Sequence, residues 1–143
     1  MDAKTFLGTH VPLFSGISDD HLTDLSVSSE LKPYKMGQTI LFQGMTVDGL
    51  HIVAVGKVTV YAKVSGKGFV QVAELGPGDV FGETSILESG TAGAMVKAAQ
   101  EGTLVLVVPQ DAFRRLVAEN ADFVVRLKAL IASRRTPPPV ARA

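Results

Sequence analysis

The chain has 143 residues, of which 46% are hydrophobic, so it is long enough to bury one core and too short for two ordinary domains. Fourteen basic residues balance fourteen acidic ones, which gives no electrostatic reason to expect nucleic acid or an anionic membrane as the main partner. The chain has no cysteine, which excludes disulfides and thiolate chemistry, and no segment has the roughly 20 apolar residues of a membrane span, so we expect a cytoplasmic domain.

Residues 1–30 are predicted to form an N-terminal arm followed by one helix. The helix is expected over Ser18 to about Ser28, because a serine is a favourable cap and the acidic pair Asp19 and Asp20 suits the positive end of the helix dipole. Its apolar side, which includes Leu22 and Leu25, indicates a short amphipathic helix that covers one end of a larger structure.

Residues 31–109 have a different pattern, in which short β-branched runs are separated by glycine-containing turns. Strands are predicted at Thr39–Phe42, Leu50–Val55, Lys57–Lys63, Phe69–Leu75, Ala94–Ala99 and Thr103–Val108. Strands at such spacing are typical of an antiparallel jelly roll, and about eight strands are expected. The segment Phe81–Leu87 interrupts the pattern and is expected to form one or two helical turns.

After Pro109 the apolar residues return to helical spacing, which predicts two closing helices over residues 110–135 with a joint at Asn120-Ala121-Asp122. The prolines that follow Thr136 cannot continue a helix, so residues 136–143 are predicted to be a disordered tail. The fold class expected for the whole chain is mainly β, with an eight-stranded antiparallel β-roll, an N-terminal helix and two C-terminal helices.

The order of these pieces resembles the cyclic nucleotide-binding domain family. The resemblance covers about Val11 to Arg135 and rests on several short motifs in sequence order. These are Leu13-Phe14-Ser15-Gly16, the G-x-x-I-x-x-x-G pattern of Gly37 to Gly44, Ile52 to Val60 with Gly56, Leu75-Gly76-Pro77-Gly78-Asp79, and Phe81-Gly82-Glu83. Each motif alone is weak, whereas their order and spacing together are specific.

The resemblance implies a phosphate-binding cassette over residues 78–98. In the family, F-G-E is followed by P-R-A-A. The glutamate accepts a hydrogen bond from the ribose 2′-hydroxyl, and the arginine pairs with the cyclic phosphate. Backbone N–H groups at the start of a short helix also bind the phosphate. Without a gap, P-R-A-A falls on Thr91-Ala92-Gly93-Ala94, which places Ala92 at the arginine position. No arginine occurs before Arg114, so another alignment cannot supply one. Lys97 lies five residues from Ala92, an odd offset that predicts the opposite face of a strand.

The candidate ligand residues are therefore those of the cassette, although each also has a structural interpretation. Because Ala92 stands at the arginine position, the charged partner of the cyclic phosphate is lost. Such a loss costs about 3–5 kcal/mol, or roughly two to four orders of magnitude in affinity for the nucleotide. Glu83 is more simply a turn-stabilising group, Gly82 and Gly78 serve backbone geometry, and a loop threonine usually bonds its own backbone. The set comprises Phe81, Gly82, Glu83, Thr84, Thr91, Ala92 and Gly93. No cofactor is predicted, and cyclic AMP or cyclic GMP is an alternative ligand.

Enzymatic and DNA-binding functions are less favoured. The roll also resembles cupins, but His10, His21 and His51 are scattered and form no metal-ligand pair, and no metal site or catalytic residue is predicted. Relatives that bind DNA carry a helix-turn-helix after the last helix, for which residues after Arg135 leave no room. The arginines near the end of the last helix could contact nucleic acid, but basic residues there more often compensate the helix dipole.

The sequence thus favours a stand-alone regulatory or adaptor module that acts through protein–protein contact, with its nucleotide site weakened or lost. Its partner is expected to be another signalling protein or a second copy of the chain. The expected contact surface is on the closing helices, at Phe123, Leu127, Leu130 and Ile131. These apolar residues are more than a small closing element is expected to bury. The alternative is a true sensor of a cyclic nucleotide or another anion that uses Glu83 and the cassette amides. No membrane partner is predicted.

Overall fold

A computed structural model describes residues 2–47, 49–82 and 94–135. The helices are α1 (Ala3–His10), α2 (Asp19–Ser28), α3 (Gln110–Glu119) and α4 (Ala121–Arg135), with a 3₁₀ turn at Pro12–Phe14. The strands are β1 (Glu30–Tyr34), β2 (Thr39–Leu41), β3 (Gly49–Val55), β4 (Val58–Val64), β5 (Gly68–Leu75), β6 (Val80–Phe81), β7 (Met95–Ala98) and β8 (Thr103–Pro109). Eight strands, one roll and two closing helices confirm the predicted fold class.

The strands form two antiparallel four-stranded sheets, in the orders β1-β8-β3-β6 and β2-β7-β4-β5. Strand β8 pairs with both β1 and β3, and β4 pairs with both β5 and β7, so each sheet is organised around these central strands. Side chains of β3, β4 and β8 are buried between the sheets, where Ile52, Val58 and Val105 are fully buried. These strands and the helices contribute to one core cluster.

The N-terminal arm contains a helix that its sequence pattern did not predict. Helix α1 is capped by Asp2, whose Oδ1 accepts a hydrogen bond from the backbone N–H of Thr5 at 2.7 Å. The predicted helix is confirmed as α2, with Ser18 as its cap: Ser18 Oγ accepts from the N–H of His21 at 3.3 Å. Leu7 of α1 and Leu25 of α2 are buried in the common core, so both helices close one end of the roll.

The closing helices are confirmed, with Asn120 at their joint, and helix α4 extends to Arg135. The tail predicted for residues 136–143 lies outside the described residues. Within the part of the chain that the structure describes, each helix is too short or too polar to cross a bilayer.

Candidate ligand site

The start of the predicted cassette is built by the short strand β6 and the turn that follows it. Strand β6 pairs with β3, which places Phe81 opposite His51. Phe81 is buried, and its ring lies 5.0 Å from the His51 ring, centroid to centroid. Its aromatic ring thus packs into the core, and the structure gives it a packing role rather than an exposed ligand contact.

Gly82 then turns the chain into the cassette with a φ of +85°, a conformation that side chains with a Cβ rarely adopt. A Cβ at this position would also lie 3.3 Å from Val47 Cγ1 and 3.5 Å from His51 Nδ1. The preceding turn has the same requirement at Gly78, where φ is +92° and a Cβ would overlap the carbonyl oxygen of His10. Both glycines therefore have the geometric role predicted for them.

The remaining candidate ligand residues fall in the segment 83–93, which is outside the described residues. These are Glu83, Thr84, Thr91, Ala92 and Gly93. Their predicted roles stay predictions. The described chain resumes at Ala94 and enters strand β7 at Met95, as the cassette pattern requires of its final strand.

Lys97 lies on the outer face of its sheet. Its neighbours Val96 and Ala98 are buried between the sheets, whereas the Lys97 Nζ lies 5.9 Å from the centroid of the Tyr61 ring. This cation–π contact holds the ammonium group away from the interior of the roll. Lys97 is therefore in the wrong place to replace an arginine that faces a ligand inside.

Arg126 of α4 bonds the backbone of another element. Arg126 donates from Nε to the carbonyl oxygen of Leu13 at 3.0 Å, while its buried Nη2 has no hydrogen-bond partner among the described residues. Arg114 and Arg115 are exposed on α3. No lysine or arginine whose side chain the structure describes is buried in the roll.

His51 is a residue that the sequence singled out only as a possible metal ligand. Its side chain is 8% exposed, and Nδ1 lies 3.0 Å from the carbonyl oxygen of Gly49. A carbonyl can only accept, so Nδ1 carries the proton and donates. Burial lowers the pKa of His51 to about 4; the hydrogen bond to Gly49 opposes this shift, and the positive charge of Lys32 adds to it. Its signal in the sequence is a single polar residue inside the apolar run from Leu50 to Val53.

The other two histidines make structural contacts. His21 Nε2 lies 2.7 Å from Glu119 Oε2, which joins α2 to α3, and its Nδ1 lies 2.9 Å from Ser18 Oγ. His10 stacks on Phe6 with ring centroids 5.8 Å apart. Among residues 2–47, 49–82 and 94–135, no three metal-ligating side chains come together.

Three of the four residues of the predicted partner surface on the closing helices are not exposed in this chain. Phe123, Leu127 and Ile131 are buried in the core of this same chain, and Leu130 is half-buried against it. The reason is the Pro12–Phe14 turn, which the sequence did not predict. Phe123 packs between Phe14 and Phe113, with ring centroids 5.5 and 6.0 Å apart. These side chains are therefore not in excess of what the fold must cover.

A cleft of about 240 Å³ lies at the joint between α3 and α4. Its lining includes Gly16, Glu119, Asp122 and Arg126, and contains no residue of β6 or β7. Its lining carries two carboxylates and one guanidinium group. This cleft therefore shares no residue with the described part of the cassette.

Comparison with known proteins places these features in a family. The family model of the cyclic nucleotide-binding domain matches residues 31–120. The cyclic AMP receptor protein of Thermus thermophilus is 35% identical over 124 residues, which are 86% of this chain and 56% of that protein. The chain thus spans little more than half the length of this relative.

Two solved structures show the same similarity. The catabolite activator protein of Thermus thermophilus matches with a TM-score of 0.74 at 30% identity, over 86% of this chain and 57% of that one. A cyclic nucleotide-binding-like protein from Brucella abortus matches with a TM-score of 0.65 at 26% identity, over 82% of this chain and 98% of that one. Since the family model matches more than half of the residues and the β-roll agrees with it, the chain belongs to the cyclic nucleotide-binding domain family.

Proposed function

We propose that this chain is a regulatory domain whose cyclic nucleotide site is weakened or lost, and that it acts by contact with another signalling protein. The single observation that carries the proposal is the sequence of the cassette, in which Ala92 stands at the arginine position and no arginine precedes Arg114. The scaffold around it is intact, because Phe81 packs in the core and Gly82 makes the left-handed turn into the cassette.

Two described cations support this proposal because their side chains are held by other groups. Lys97 contacts Tyr61 on the outer face, and Arg126 bonds the backbone of Leu13. We then expect a cyclic phosphate to rely on the backbone N–H groups and hydroxyls of the cassette, without a charged partner. The expected loss is about 3–5 kcal/mol, or roughly two to four orders of magnitude in affinity.

Calorimetric titration with cyclic AMP and cyclic GMP tests the nucleotide part of the proposal. The unmodified chain should give no binding at low micromolar concentration, whereas Ala92→Arg should bind at least a hundredfold more tightly than the unmodified chain. Ala92→Gln is the matched control, because it adds a polar side chain without the charge, and it should not gain affinity. Low micromolar binding by the unmodified chain would overturn the proposal, and so would a folded Ala92→Arg variant with unchanged affinity.

A genuine sensor is the second candidate, and the preserved entry to the cassette favours it. The turn at Gly82 leads directly into Glu83, the residue that the family uses for the ribose. In this case the unmodified chain should bind a cyclic nucleotide, and Glu83→Ala should remove that binding. The same titration therefore separates the two candidates.

Self-association through the closing helices stays a prediction. Because three of the predicted contact residues are buried, this association would require α4 to move. Phe123, Leu127 and Ile131 become available to a partner only if α4 leaves the roll. A charged substitution at Leu127 should then destabilise the free domain as well as any complex, so a loss of partner binding is informative only in a variant shown to be folded.

A further inference from the structure

The four sheet edges of this molecule differ in how well they are protected from pairing with another strand. Strand β1 carries Pro33, Glu30 and Lys32, strand β2 has three residues, and β6 has two. Proline, charge and short length are the usual protections of an edge. Strand β5 has eight residues and no proline, and its only charged residue is Glu74.

Strand β5 is also apolar and exposed. It pairs with β4 on one side, and no described strand pairs with its other side. Its side chains Phe69, Val70 and Val72 are 44%, 37% and 48% exposed, and Val64 of the adjoining strand is 37% exposed. A long apolar strand with a free row of backbone N–H and C=O groups is a site for the addition of another strand.

One irregularity limits where such pairing can occur. Val60 pairs with Ala73 and Tyr61 pairs with Gln71, so Val72 is the extra residue of a β-bulge. The ladder is regular from Gly68 to Gln71, where Lys63 pairs with Phe69 and Ala62 with Val70. A new strand would therefore pair with this regular part and meet Glu74 beyond the bulge.

We propose that β5 pairs antiparallel with β5 of a second copy of this chain, which joins two four-stranded sheets into one eight-stranded sheet. The two-fold axis passes through Val70, so the valines of the two copies meet and Phe69 of one copy lies opposite Gln71 of the other. When Val72 is counted as the extra residue of the bulge, Lys67 of one copy comes opposite Glu74 of the other, on each side of the axis.

Charge complementarity is the reason for choosing a second copy as the occupant. Lys67 and Glu74 have opposite charge and lie on opposite sides of Val70, so a two-fold pairing brings unlike charges together twice. The two Glu74 residues lie far from the axis and from each other, so no like charges meet. Glu74 already has a partner in Lys57 at 3.4 Å, and at about half exposure it has room for a second.

Sedimentation velocity over a wide concentration range tests this proposal. The unmodified chain should shift from monomer to twice that mass as its concentration rises. Val70→Lys places two ammonium groups at the axis and should weaken the dimer at least tenfold. Val125→Lys is the matched control: Val125 is an exposed valine on α4, 67% exposed, and its substitution should leave the dimer unchanged.

A charge exchange tests the register. Lys67→Glu alone and Glu74→Lys alone should each weaken the dimer, whereas the double variant should restore it, provided that each variant keeps the thermal unfolding midpoint of the unmodified chain. Amide hydrogen exchange over residues 68–71 should slow as the concentration rises. A chain that stays monomeric overturns the proposal, as does a Val70→Lys variant that dimerises like the unmodified chain. Nucleotide titration is a separate measurement, so this proposal and the proposed function fail independently.

Discussion

Lowering the pH should destabilise the roll through His51, because its neutral side chain is buried between β3 and the start of the cassette. The pKa of this histidine is about 4 in the folded chain and 6.5 in an unfolded one. The unfolded state therefore takes up a proton as the pH falls below 6.5, while the folded state does not. The contribution of neutral His51 to stability is complete above pH 6.5 and is lost progressively as the pH falls to about 4.

The size of the effect follows from the difference between the two pKa values. A shift of about 2.5 units corresponds to about 3 kcal/mol of unfolding free energy at the acidic limit. Lys32 on β1 is the charged group that acts on His51, and it lowers the pKa in the same direction as burial. Since a domain has about 5–15 kcal/mol of stability, this contribution is a large fraction of the total.

Denaturant unfolding at several pH values, with the variant His51→Asn, measures this contribution. The asparagine side-chain amide donates to the carbonyl of Gly49 as Nδ1 does but does not titrate, so the variant should lose about 2–3 kcal/mol less between pH 7 and 4.5. His51→Phe should be less stable at every pH, because Gly49 loses its donor, yet have the same reduced slope. If both folded variants keep the slope of the unmodified chain, the reasoning is refuted.

Two further substitutions test the packing of the roll. Gly78→Ala should cost about 2 kcal/mol or more, because its Cβ would overlap the carbonyl oxygen of His10 in a left-handed conformation, whereas Gly76→Ala, with open space around it, should cost less than about 1 kcal/mol. Equal thermal unfolding midpoints for the two variants would contradict this. Phe123→Ala should cost about 3–5 kcal/mol in denaturant unfolding, against about 0.5 kcal/mol or less for Val125→Ala, and similar values would show that Phe123 is not a core residue.

Local patterns predicted most of the fold. Six of the strands follow directly from β-branched runs, and the turn glycines mark their ends. Ser18 and the acidic first turn predict α2, because a cap acts within a few residues of itself. Two strands were harder to predict. Strand β1 contains Pro33, which is tolerated only because β1 is an edge, and β6 has two residues.

The site was only partly predictable. The positions of Gly78 and Gly82 follow from turn chemistry, and both have the positive φ that was expected. The roles of Glu83 and Ala92 rest on the family motif and fall outside the described residues. The burial of His51 was not predictable, because it depends on Phe81 and β6, which lie about thirty residues away in sequence.

The sequence by itself determined the cassette composition and the periodicity of each element, because both are local properties. It also determined that no arginine precedes Arg114. Only the tertiary structure decided which faces are covered. The apolar side of α4 indicated a partner, but Phe14 and Phe113 cover it within the chain, whereas β5 gave no such signal and is the edge left unprotected. An apolar pattern shows that a surface must be buried, and the packing of distant elements decides what buries it.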